Sequence, residues 1–76
     1  MLENSILSEI DLLISLLDDL YRRSDGALKL AIRYDNRGQE QRYSGEIFAY
    51  HSAKSHAEAC RNRVVAVFNR EVTRDE

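Results

Sequence analysis

A chain of 76 residues fits one domain, residues 1–76, and leaves no room for a second. Its formal net charge of −2 argues against bulk electrostatic attraction to nucleic acid or to an anionic membrane. Cys60 is the single cysteine and no apolar run reaches membrane-spanning length, so we expect a cytoplasmic protein without an intrachain disulfide or a membrane partner.

The first predicted element is a helix over residues 4–23. Asn4 or Ser5 can cap its first turn, and Gly26 follows as a stop signal. Its apolar side chains cover an arc of roughly 180°, whereas packing on one surface needs roughly 100°. The excess predicts a homodimer or another bound protein, unless the second helix covers it all. The residues predicted for self-association are Ile10, Ile14, Leu17 and Tyr21.

Charge is distributed unevenly along the chain. Residues 1–21 contain five acidic and no basic residues, while all eleven basic residues follow, among eight acids. The acids of the first helix are either an ordinary solvated face or a binding stripe for a basic protein partner. The members of this acidic stripe are Asp11, Asp18 and Asp19.

The segment over residues 27–50 is predicted to form an antiparallel hairpin. Apolar residues alternate from Leu28 to Tyr34, which is typical of a strand with one buried face. Turn formers follow at 35–38, where Gly38 suits a positive φ angle. The phase of the second strand stays open, because Gly45 could mark a bulge.

A second helix is predicted over residues 53–72. Ser55 to Glu58 has the form of a capping box, and Ser52 offers an alternative cap. One arc of the helix carries Ala53, Ala57, Cys60, Val64, Val67 and Phe68. The predicted fold class is therefore α+β, in the order α-β-β-α, with an antiparallel hairpin packed against two helices. Two such hairpins could form a four-stranded sheet across a two-fold axis, or the first helices could pair directly.

The sequence contains no pattern that predicts catalysis, a metal site or a cofactor. His56 and Cys60 lie one helical turn apart, but zinc needs three or four ligands and no cysteine pair is present. Ser5, Ser8 and Ser15 have no histidine nearby in the sequence. We therefore expect a protein that is not an enzyme.

Binding is the remaining class of function. We expect a small interaction module that binds another protein as a regulator, adaptor or inhibitor, and that forms a homodimer. Compact inhibitors encoded by phages and mobile elements and directed at host complexes have this size. The alternative is a nucleic-acid-binding hairpin, in which basic residues interleave with tyrosines. Its binding residues would be Lys29, Arg33, Arg37 and Arg42.

Overall fold

The protein is a rod of two antiparallel helices. The computed structural model describes the backbone of residues 2–74 and, except at residues 3 and 71–74, their side chains. Helix α1 spans Leu2–Arg33 and helix α2 spans Arg37–Arg74. The principal extents are 62 × 16 × 12 Å, close to the length that 38 helical residues give at about 1.5 Å per residue.

The predicted α+β class is wrong, since residues 2–74 contain no strand. The segment predicted as a hairpin over 27–50 is the end of α1, a short turn and the beginning of α2. Leu28 and Ala31 continue the helical spacing from Ser24 and are at least half-buried, whereas Leu30 and Ile32 are exposed. Some of the alternating apolar residues therefore pack between the helices and the others are exposed to solvent. Together they do not form the buried face of a strand.

Several sequence features that were expected to end elements lie inside helices. Gly26, the predicted stop, and Gly45, the predicted bulge, are both helical. The ion pair between Asp25 and Lys29 spans the turn of helix that contains Gly26. The predicted capping box at 55–58 lies in the interior of α2. Because the chain has no proline, nothing removes a backbone donor across these positions.

The turn ends α1 in a Schellman motif. The amide of Asn36 donates to the carbonyl of Ala31 at 2.8 Å, and the amide of Asp35 donates to the carbonyl of Ile32 at 3.1 Å. Asp35 has a φ of 52°, a left-handed conformation that aspartate tolerates better than most residues. Gly38 was expected to take this role, but among the described residues no glycine has a positive φ.

Asn36 also begins α2. Its side-chain Oδ1 accepts a hydrogen bond from the amide of Gln39 at 3.2 Å, which is the geometry of a helix N-cap. One residue thus follows the C-terminus of α1 and caps the N-terminus of α2. A connection this short allows the two helices to pack antiparallel, side by side.

The helices meet along a heptad seam, in which at least partly buried residues recur at alternating spacings of three and four. This spacing is that of two helices wound around each other. On α1 the seam consists of Leu7, Ile10, Ile14, Leu17, Tyr21, Ser24, Leu28 and Ala31. On α2 it consists of Glu40, Tyr43, Ile47, Tyr50, Lys54, Ala57, Arg61, Val64 and Phe68.

The core of this hairpin is thin. Only Ala31, at 3% exposure, and Ala57, at 7%, are buried hydrophobic residues in the described part of the chain. Ser24 is the buried polar residue at 6%, and no large side chain there is fully buried. Two helices packed along one seam leave the flanks of that seam open to solvent, so much apolar surface stays exposed.

Candidate protein-interaction surface

The two faces of the hairpin differ in chemistry. Successive residues of a helix are about 100° apart, so Asp11 and Asp18 lie on one side of the Ile10 seam position. Leu13 and Leu20 lie on the opposite side. The first pair contacts α2 through ion pairs, while the second is part of an exposed apolar surface. One face of the rod is therefore polar and the other is apolar.

The polar face is cross-linked by two ion pairs between the helices. Arg61 Nε lies 2.6 Å from Asp11 Oδ1, and Lys54 Nζ lies 3.0 Å from Asp18 Oδ1. The hydrogen bond from Lys54 lowers the pKa of Asp18 below its usual value, and the same bond raises the pKa of Lys54. Both cations occupy seam positions of α2, so their partners on α1 hold the helices in register.

The acidic stripe predicted for a basic partner is already neutralised within the chain. Asp11 and Asp18 bind cations of α2, and Asp18 also contacts Arg22 one turn away at 3.0 Å. Asp19 pairs with Arg23 at 3.0 Å. Each of the three carboxylates thus has a basic partner, which leaves the stripe little net attraction for another protein.

The apolar face contains an open groove between the helices. This groove consists of two adjoining depressions with volumes of about 310 and 500 Å³. Arg63 lies at the rim of both depressions. The other lining residues come from both helices: Ile6, Leu13 and Leu17 of α1 with Ala53, His56, Ala57, Cys60, Val64, Val67 and Phe68 of α2.

Exposed leucines continue the groove along α1. Leu13 is 48% exposed, Leu16 is 54% exposed and Leu20 is 38% exposed. The second helix therefore does not cover the whole apolar arc of α1. Towards the turn, the apolar surface gives way to a polar contact, where Ser24 Oγ donates to Glu46 Oε2 at 3.0 Å.

The residues predicted for self-association lie on the seam. Ile10, Ile14, Leu17 and Tyr21 are each partly buried, and the ring of Tyr21 lies 6.0 Å from that of His51 on α2. These four side chains are directed at the partner helix of the same chain. The exposed surface is carried instead by neighbouring residues of the same apolar arc, Leu13, Leu16 and Leu20, which were not predicted for self-association.

The basic residues of the nucleic-acid alternative lie at the turn end of the rod. Arg33 ends α1 and Arg37 begins α2. Lys29 is paired with Asp25, and Arg42 lies 3.4 Å from Glu46. The four cations are carried by helices and not by strands, and two of them are neutralised by neighbours on the same helix.

Potential chemical groups in the groove are few. His56 and Cys60 line the same depression, and the thiol is free and exposed. Among the described residues, no three histidine, cysteine or acidic side chains lie close enough together to hold a metal ion. Neither helix, over the residues described, has an apolar stretch long enough to cross a membrane.

Two signals in the sequence could have located the groove. The alternating three- and four-residue spacing runs from Leu7 to Ala31 and again from Glu40 to Phe68, but polar members hide it in α2. Once the seam is assigned, Leu13 and Leu20 of α1 fall on one side of it, the side that Ala53, Cys60 and Val67 occupy on α2. This spacing becomes visible only when helical periodicity is followed over the whole chain, because segments of about ten residues are too short to show it.

Fold and surface together define a class of protein: an antiparallel helical hairpin with one ion-paired face and one open apolar face. No protein-family model, curated protein or solved structure matches this chain.

Proposed function

We propose that this chain is a non-enzymatic protein-interaction module that binds α-helical protein surfaces in the groove. The observation that carries the proposal is the exposure of Leu13, Leu16 and Leu20 beside a core in which only two of the described residues are buried hydrophobics. Apolar grooves between helices are typical receptors for an amphipathic helix, which fills them with side chains at helical spacing. A regulator, adaptor or inhibitor would work in this way.

Two further features support this proposal. The groove is lined mainly by apolar side chains, and the exposed residues Arg63 and His56 supply its polar groups, as expected of a protein interface with a polar margin. The free thiol of Cys60 lines the groove and would be at risk of oxidation outside a reducing compartment, which favours the cytoplasm as the site of action.

A site-specific photocrosslinker tests the proposal directly. Benzoylphenylalanine at Leu16, which lies beside the groove, should give protein adducts in the native cell extract. The same group at Leu30 is a matched control, because both leucines belong to α1 and both are 54% exposed. Leu30 lies beyond the Ser24–Glu46 contact and should give few adducts.

Two results would contradict the proposal. Equal yields of protein adduct at Leu16 and Leu30 would mean that the groove has no special role in binding. Nucleic-acid adducts at Leu30, lost after nuclease treatment, would instead favour binding through the basic turn end of the rod. The control substitution thus also tests the alternative function.

A further inference from the structure

We infer that the occupant of the groove is a second copy of this chain, packed so that α1 of each copy lies against α2 of the other in a four-helix bundle. This inference rests on the proposed function and names its partner. Its first support is the thin core: a single hairpin leaves Leu13 and Val67 about half exposed. In a closed two-fold dimer, the identical apolar face of a second copy would cover both side chains.

The register of the hairpin supplies the second support. Arg61 lies level with Asp11, and Lys54 lies level with Asp18. A step of seven residues towards the C-terminus of α1 therefore matches a step of seven residues towards the N-terminus of α2. The same register places Glu9 level with Arg63. A two-fold axis parallel to the helices preserves these levels in the second copy. It therefore brings Glu9 of one copy beside Arg63 of the other.

Charge complementarity follows from this placement. Glu9 is exposed on the same side of α1 as Leu13, and Arg63 is exposed at the rim of the groove on α2. Within the described residues, neither Glu9 nor Arg63 has an ion-pair partner in its own hairpin. Each is thus free to pair with the other across the dimer, twice per bundle.

Side-chain size gives the third support. The groove side of α1 carries Leu13 and Leu20, whereas α2 carries the small residues Ala53 and Cys60 near the same levels, between the larger side chains of the groove. Leu13 lies within one residue of the level of Cys60, and Leu20 lies within one residue of the level of Ala53. Placing α1 against α2 of the second copy therefore sets large side chains against small ones, as close packing requires.

The opposite arrangement, with a two-fold axis across the rod, is less complementary. It sets α1 against α1 and α2 against α2, so that leucines meet leucines and small residues meet small residues. It also turns the copies end for end, and Glu9 no longer meets Arg63. Charge and size together select the axis parallel to the helices.

Sedimentation equilibrium of the full chain tests the dimer. The wild-type protein should have twice the monomer mass of 8.8 kDa. Leu13→Asp should raise the dissociation constant by at least about tenfold. Leu12→Asp is the matched control, since Leu12 is 56% exposed and lies on the back of α1. It should leave the mass unchanged.

A charge exchange tests the arrangement without disturbing the apolar surface. Glu9→Arg alone and Arg63→Glu alone should each raise the dissociation constant by about fivefold. The double variant should recover wild-type affinity, and the single-variant effects should shrink in about 1 M salt. Circular dichroism of each variant would establish that the helices remain, so a loss of dimer could not be assigned to unfolding.

Energy transfer between turn ends distinguishes the two axes. Azidophenylalanine replaces Tyr34, which is 73% exposed, and is labelled with a donor dye in one preparation and an acceptor dye in another. The two preparations are then mixed so that dimers carry one dye of each kind. With the parallel axis the turns lie side by side, about 20–30 Å apart, and transfer is strong. With the crossed axis they lie near opposite ends of a rod that is 62 Å long, and transfer is weak.

The outcomes separate this inference from the proposed function. A monomer at all concentrations, together with adducts of a different protein at Leu16, would overturn the inference and leave the function standing. A monomer without adducts would overturn both. A dimer with weak energy transfer, or without recovery in the double charge variant, would overturn the assigned packing.

Discussion

Two neighbouring residues, Asp35 and Asn36, determine the shape of this protein. Asp35 adopts the left-handed conformation that ends α1, and Asn36 caps α2 through Oδ1. Aspartate and asparagine suit these roles because their short polar side chains form local hydrogen bonds where other residues are strained. An N-cap asparagine of this kind contributes about 1 kcal/mol to helix stability.

The helical glycines are the clearest residue-scale weakness. Gly26 and Gly45 are exposed, helical and without any atom within 4 Å of an added Cβ. Gly26→Ala and Gly45→Ala should each raise the free energy of unfolding by about 0.5–1 kcal/mol, because alanine loses less backbone entropy. Thermal melts should show Tm rising by about 2–8 °C for each.

The reverse change provides the control for this prediction. Ala66 is exposed in α2, and Ala66→Gly should lower the Tm by a similar amount. Unchanged or lower Tm values for both glycine-to-alanine variants would mean that the helix is interrupted at those positions.

At the scale of the element, the sequence specifies α1 better than α2. The helix predicted over 4–23 lies within α1, and its excess apolar arc corresponds to leucines that are exposed. The turn predicted at 35–38 overlaps the observed turn. The first part of α2 was missed because its seam includes Glu40, Tyr43 and Lys54, which give no apolar period. Contact with α1, and not local pattern, makes this segment helical.

The same explanation applies to the candidate site. Sequence alone predicted an exposed apolar surface on the first helix, but it placed self-association on the seam at Ile10 and Ile14. Which apolar side chains stay exposed depends on how α2 pairs with α1, and the helix predicted over 53–72 did not specify that pairing. The groove and the role of Arg63 follow only from the antiparallel pairing.

The link between Asp18 and Lys54 predicts a pH dependence at the element scale. Because the folded-state pKa of Asp18 is lowered, its stabilisation is complete above the unfolded value of about 3.9 and is lost as pH falls through the folded pKa. Asp18→Asn should therefore lower the Tm at neutral pH. The difference from wild type should shrink as the pH falls below the unfolded value and through the lowered folded pKa of Asp18.

Lys54 makes stability depend on pH in the alkaline range. Its folded pKa is raised, so its stabilisation is present below the unfolded value of about 10.4 and is lost as pH rises through the folded pKa. Asp19→Asn is the matched control, because within the described part of the chain Asp19 pairs only with Arg23 on its own helix. A Tm difference for Asp18→Asn that is equal at neutral and acidic pH would contradict the ion-pair explanation.

On the scale of the whole molecule, stability depends on a single seam. Ile14 is partly buried at the centre of the α1 seam. Ile14→Asp removes apolar contact and places a charge between the helices, at a cost of about 2–4 kcal/mol. So small a fold should lose most of its helical circular dichroism, and with it any dimer.

Ile32→Asp is the control for this substitution. Ile32 belongs to the same helix but is 56% exposed near the turn, so the variant should stay helical. If Ile14→Asp kept both the helix content and the solution mass of wild type, the seam would not be what holds the hairpin together.

The antiparallel hairpin places Leu2 and Arg74 at the same end of the rod, and the turn at the other. A mechanical load applied to these two ends acts first on the contacts nearest them, while those near Asn36 remain unloaded. The Arg61–Asp11 pair breaks before the Lys54–Asp18 pair, and the Ser24–Glu46 contact breaks later still. The rod is peeled open turn by turn at low force, whereas the same helices pulled from opposite ends would resist in shear.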